Sequence, residues 1–112
     1  MTVHKHLIIR AEVTNPPTDQ KWAEQWIEEL IVKIGMIKCA GPISAYVNVV
    51  GNKGLTIAAI IESSHIVMHV WDEPNPSLIQ FDVYTCGPLD TNIVFNELKQ
   101  FDIIKLEYKY LD

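Results

Sequence analysis

Hydroxyl, imidazole, thiol and carboxylate side chains crowd into one stretch of this sequence: Thr56, Ser63, Ser64, His65, His69, Glu73 and Cys86. Three chemistries draw on such a set. His65, His69 and Cys86 are zinc ligand types, but residues four apart on a strand stand about 13 Å apart, and two ligands of one zinc need about 3 to 4 Å. A serine hydrolase would activate Ser64 through a histidine and an acid, yet no G-x-S-x-G turn surrounds it and so small a domain leaves little room for a cleft. The third is backbone chemistry, in which a serine hydroxyl attacks the preceding carbonyl in a strained turn while a histidine moves protons. A purely structural reading competes with all three. In it Ser63-Ser64 is a turn, His65 and His69 are ordinary strand residues, and Cys86 and Cys39 are small hydrophobes. Residue types alone leave these alternatives open.

The elements that must position these residues follow from periodicity. Lys5 to Ala11 is rich in branched aliphatics and precedes Asn15-Pro16-Pro17, so it is predicted as a strand. From Thr18, the expected N-cap, Trp22, Trp26, Ile27, Leu30, Ile31 and Ile34 recur at helical spacing as far as Gly35. The tryptophans are expected to cover a sheet. Ile43 to Val50 and Leu55 to Ile61 flank Gly51-Asn52-Lys53-Gly54 as one hairpin, and His65 to Trp71 and Leu78 to Thr85 flank Asp72 to Ser77 as a second. A short helix over Thr91 to Phe101, burying Val94, Phe95 and Leu98, and a last strand over Ile103 to Tyr110 complete the order βαββββαβ. Short central connections require antiparallel neighbours. The expected fold class is α+β, a two-layer sandwich with an antiparallel sheet and both helices on one face.

Composition narrows the partners. At 112 residues with 48% hydrophobic and 21% charged side chains, residues 1–112 are expected to form a single domain that buries roughly two-thirds of its unfolded surface. Asp and Glu outnumber Lys and Arg 14 to 9, and a net charge of -5 disfavours nucleic acid. Apolar runs such as Leu55 to Ile61 are too short to span a membrane. Leu7-Ile8-Ile9 is likewise too short for a secretory signal, so a cytoplasmic location is expected, with Cys39 and Cys86 as free thiols.

Glu62-Ser63-Ser64-His65-Ile66-Val67-Met68-His69-Val70-Trp71-Asp72-Glu73 resembles a processing segment that reads E-S-H-x-x-x-H-T-W-P-E. Phe81-Asp82-Val83-Tyr84-Thr85-Cys86-Gly87 is similar to V-D-[LV]-[FY]-T-C-G, Gly54-Leu55-Thr56 to G-V-S, and Lys5-His6-Leu7 more weakly to R-H-L. These are motifs of the prokaryotic-type S-adenosylmethionine decarboxylase proenzymes, which are pyruvoyl-dependent and self-processing.

The resemblance implies that Ser64 attacks the Ser63 carbonyl, giving an ester that eliminates and hydrolyses to a pyruvoyl group, with the chain cut between Ser63 and Ser64. It further implies His69 as the processing base, Thr56 as the hydroxyl holding the tetrahedral intermediate, and Cys86 as the thiol that reprotonates substrate. Trp71, Glu73 and His65 match residues around the substrate. The pyruvoyl ketone, the implied cofactor, forms a Schiff base with the substrate amine and serves as an electron sink. No metal enters this chemistry. The implied setting is a homodimeric lyase of polyamine (spermidine) biosynthesis. This sequence departs from the pattern in four places. Ser63 stands where the family has Glu, Asp72 replaces a proline, the loop after it is about two residues longer, and Val49 and Val50 occupy the region of an adenine-stacking aromatic. Those departures keep open another amino acid substrate such as ornithine or arginine, or an unprocessed non-enzymatic homologue.

Overall fold

Along four of the strands, burial alternates residue by residue, the signature of a sheet covered on one face. The computed structural model describes residues 3–112. It contains β1 (Lys5–Val13), α1 (Gln20–Lys33), β2 (Lys38–Val47), β3 (Gly54–Ile61), β4 (Ser64–Trp71), β5 (Ser77–Thr85), α2 (Thr91–Leu98), a 3-10 turn (Lys99–Phe101) and β6 (Ile103–Leu111). The strands form one sheet in the order β2-β3-β4-β5-β1-β6, and every neighbouring pair is antiparallel. The expected α+β class and element order are therefore observed.

The first strand lies between β5 and β6, while β2 lies at the far edge, so the chain crosses the sheet between them. Helix α1 makes that crossing and packs on β2 and β3. Its buried Ala23, Trp26, Ile27, Leu30 and Ile31 meet Leu7, Ile9, Leu55, Ile57, Met68 and Phe81 from the sheet, and α2 adds Val94 and Leu98. Each large aliphatic side chain fully buried here stabilises the fold by about 1.5–3 kcal/mol. Trp22 is half exposed, but its ring stacks on Trp26 and meets Phe101 edge-on.

Several boundaries differ from those expected. The N-cap is Asp19, not Thr18, because its carboxylate accepts the Lys21 N–H at 3.0 Å. The second strand spans Lys38–Val47 and stops before Val49, since the Asn52 N–H bonds the Val49 carbonyl and closes a turn through Gly51 (φ 90°). The second α-helix ends at Leu98, where the chain tightens to a 3-10 turn and reverses at Asp102 (φ 57°).

Gly54 is required by packing. A Cβ built there would lie 1.7 Å from the Val70 carbonyl oxygen, so this G-V-S-like residue lets β3 approach β4. The second face of the sheet carries no helix. It presents Ile43, Val47 and Ile60, which are 71%, 39% and 56% exposed, beside Thr56, His65, His69, Gln80 and Asp82.

Candidate active site

The reactive residues divide into two groups. The first surrounds the two-residue turn Glu62-Ser63 between β3 and β4. Ser63 has φ 56°, a left-handed conformation that costs an L-residue with a Cβ about 1–2 kcal/mol. Its carbonyl is the one that a Ser64 hydroxyl would attack. Ser64 opens β4 with its side chain on the helix-covered face, and its Oγ accepts the Cys86 N–H at 2.8 Å. The Cys86 thiol donates to the Glu62 carbonyl at 3.3 Å. Strand β5 therefore delivers Cys86 to the turn, and the Thr85 hydroxyl pins the following loop by donating to the Gly87 carbonyl.

The second group occupies the open face. Thr56 on β3 pairs in register with His69 on β4, and Thr56 Oγ1 lies 3.0 Å from His69 Nδ1. The His69 ring stacks on Trp71, centroids 5.8 Å apart, and the Trp71 indole N–H donates to Asn52 Oδ1. Glu73 Oε1 accepts the N–H groups of Gly51 and Lys53, so its carboxylate clamps the β2–β3 turn. Trp71, Glu73, Val50 and Pro74 border a surface cleft of about 570 Å³. A smaller hollow of about 290 Å³ beside Pro16, Pro17 and Trp22 carries none of the reactive residues.

Asp72, the residue in place of proline, accepts the Tyr46 hydroxyl at 2.5 Å. That hydrogen bond, helped by partial burial and by the negative charges of Asp72 and Glu73, raises the Tyr46 pKa above the ordinary phenol value. It ties the end of β4 to β2.

Ser64 with Cys86 and Thr56 with His69 are thus two local pairs, and the chain does not bring them together. Ser64 and His69 are five residues apart on one strand, on opposite faces, about 16 Å at about 3.3 Å per residue. Trp71 closes the strand that Ser64 opens, about 23 Å away by the same rise. His65 is four residues from His69 along β4, about 13 Å, and makes no hydrogen bond with it or with Cys86. Its Nε2 meets Asp82 Oδ1 at 2.9 Å, and His6 Nε2 meets the same oxygen at 2.8 Å. His6 and Asp82 were not among the expected site residues. Strand alternation places each on a face, but only the register, with Tyr84 opposite both His6 and His65, brings β1, β4 and β5 side by side at this point.

An antiparallel six-stranded sheet with two helices on one face defines the architecture as a two-layer α+β sandwich. The same fold is seen in the crystal structure of the adenosylmethionine decarboxylase from Aquifex aeolicus, with a TM-score of 0.75 over 98% of this chain and 89% of that one at 20% identity. The family model described as S-adenosylmethionine decarboxylase matches residues 5–111. This chain belongs to the S-adenosylmethionine decarboxylase family. Curated relatives include the S-adenosylmethionine decarboxylase proenzymes of Pyrobaculum islandicum and Pyrobaculum arsenaticum, 50% and 47% identical over 36 residues. Those matches cover 32% of this chain and 27% of each relative, about a quarter of the relatives' length.

Proposed function

We propose that this chain cleaves itself between Ser63 and Ser64 and then decarboxylates S-adenosylmethionine, supplying the aminopropyl donor for polyamine synthesis. The observation that carries the reading is the turn itself. A left-handed Ser63 precedes a serine whose hydroxyl oxygen is already held by the Cys86 N–H at 2.8 Å. Attack of Ser64 Oγ on the Ser63 carbonyl forms an ester as the C–N bond breaks and the Ser64 nitrogen takes the proton, relieving strain stored in the turn. A base then removes the Ser64 α-proton and the Ser63 carboxylate leaves, giving dehydroalanine. Its tautomer adds water and loses ammonia, leaving a pyruvoyl group at residue 64. The residues fit that group because the precursor serine, the left-handed turn before it and a hydrogen-bond donor coincide. When present, the ketone supplies an electron sink for loss of carbon dioxide.

The remaining roles fall to side chains of this chain. His69, hydrogen-bonded to Thr56, is the base, and Thr56 holds the developing oxyanion. Cys86 delivers a proton to the substrate carbon, and His65, Trp71 and Glu73 bind substrate. Since Ser64 and His69 of one copy lie on opposite faces, His69 reaches Ser64 from a second copy. The open face carries Thr56 and His69, so a second copy that shares the site docks there. Ile43, Val47 and Ile60 on that side supply apolar surface for a homodimer.

Release of labelled carbon dioxide from carboxyl-labelled S-adenosylmethionine by cleaved protein tests the activity. Cleaved protein that releases none refutes it. A second reading keeps the chemistry but changes the amino acid to one such as ornithine or arginine. It is favoured by Val50, 85% exposed at the cleft beside Trp71, where an aromatic partner for adenine would be expected. Losing such a stacking face costs about 1–3 kcal/mol. Release from ornithine or arginine but not from S-adenosylmethionine would select this alternative.

A further inference from the structure

We propose that His6, Asp82 and His65 form a binding site for one divalent transition-metal ion of the zinc, cobalt or nickel class. Their ligand atoms, both Nε2 nitrogens and a carboxylate oxygen, all lie within 4.8 Å of one another. Three adjacent strands present them, so their spacing is set by the hydrogen-bonded ladder of β1, β5 and β4. Tyr84 fixes both rings, stacked on His65 with centroids 5.8 Å apart and edge-on to His6 at 5.4 Å.

The Nε2···Oδ1 separations of 2.8 and 2.9 Å are hydrogen-bond lengths. Ligands about 2.0–2.2 Å from a tetrahedral ion stand about 3.3–3.6 Å apart, so the two N···O pairs open by roughly half an ångström while the two Nε2 atoms, within 4.8 Å of each other, settle at the same spacing. Asp82 Oδ2 takes no hydrogen bond among the described residues, which leaves the carboxylate a second oxygen for the ion. Two imidazoles and one carboxylate suit these metals and not calcium or magnesium, which prefer oxygen. All three side chains are partly exposed, between 26% and 44%, so ions enter from the open face and a fourth position is left to water. The ion replaces the protons that the histidines share with Asp82. The site stands whether or not the chain cleaves.

The test uses the full chain without a histidine tag, titrated with Co²⁺ by visible absorption and with Zn²⁺ by calorimetry. The expected result is one ion per chain, with a Co²⁺ spectrum typical of tetrahedral nitrogen and oxygen ligands. Asp82→Asn, His65→Ala and His6→Gln should each weaken binding at least by the roughly 10–100-fold known for loss of an outer-shell partner, while His4→Gln leaves it unchanged. Thermal melts without metal identify any variant that fails to fold, and wild-type stoichiometry is then read against the remaining two. No saturable binding at one equivalent, or binding that survives the loss of Asp82 or His65 in folded protein, would overturn the proposal.

Discussion

Ser64 and Cys86 are coupled through one backbone hydrogen bond, and that coupling separates two roles of Cys86. Its N–H holds the Ser64 oxygen, whereas its thiol points to the Glu62 carbonyl and has no part in the proposed cleavage. Cys86→Ala keeps the N–H and removes only the thiol, so the chain should still cut itself while turnover falls by about 10²-fold or more, the usual scale for a lost proton donor. Parallel mass spectrometry and carbon dioxide release would show the split. From residue types, Ser64 was one candidate in a turn and the motif resemblance selected it. What no pattern could reveal is the left-handed φ of Ser63, or that His65 turns to Asp82 and His6 and away from His69. Both depend on how β1, β4 and β5 align across the sheet.

The hairpins that carry the site are held by close approach and by one phenol. Gly54→Ala places a methyl where the Val70 carbonyl stands, so β3 and β4 must separate. The expected loss is about 1–3 kcal/mol or more, read as a lower melting temperature by circular dichroism. Tyr46 and Asp72 offer a titration. Asp72 stabilises the protonated phenol, so the Tyr46 pKa lies above its unfolded value and the pair contributes stability that is lost as pH rises through the folded value. Asp72→Asn should bring the Tyr46 titration back toward the ordinary phenol range, measured by ultraviolet absorption of tyrosinate against a Tyr46→Phe blank. Alternation and turn residues made the six strands readable because one face is so fully buried. The edge strand β2 escaped in part. Its burial is weak, so Val49 and Val50 looked like strand although the Asn52 N–H draws Val49 into a turn. The extra residues at Lys38 to Pro42 pair irregularly with β3 and carry little alternation.

A helix-covered face and an uncovered one give the molecule its polarity, and under the proposed function a second copy docks on the uncovered one. Ile43→Arg, on an apolar position that is 71% exposed, should leave the fold intact and yield monomers by analytical ultracentrifugation, with cleavage lost or greatly slowed. Mixing makes a sharper test of the shared site. Ser64→Ala chains would lack the proposed nucleophile and His69→Ala chains the proposed base, so each alone should stay whole. In a mixed dimer, Ser64 of the second meets His69 of the first, and the His69→Ala chain should then be cut. If neither chain is cut in demonstrated mixed dimers, the assignment of His69 across copies is wrong. The central claim, self-cleavage at Ser63–Ser64, is tested most directly by denaturing intact-mass spectrometry of the purified full chain. Two species are predicted, residues 1–63 and residues 64–112 bearing a blocked, pyruvoyl-terminated start, with Ser64→Ala remaining one species near 12.8 kDa. A wild-type chain that stays whole at 12.8 kDa after prolonged incubation would contradict it.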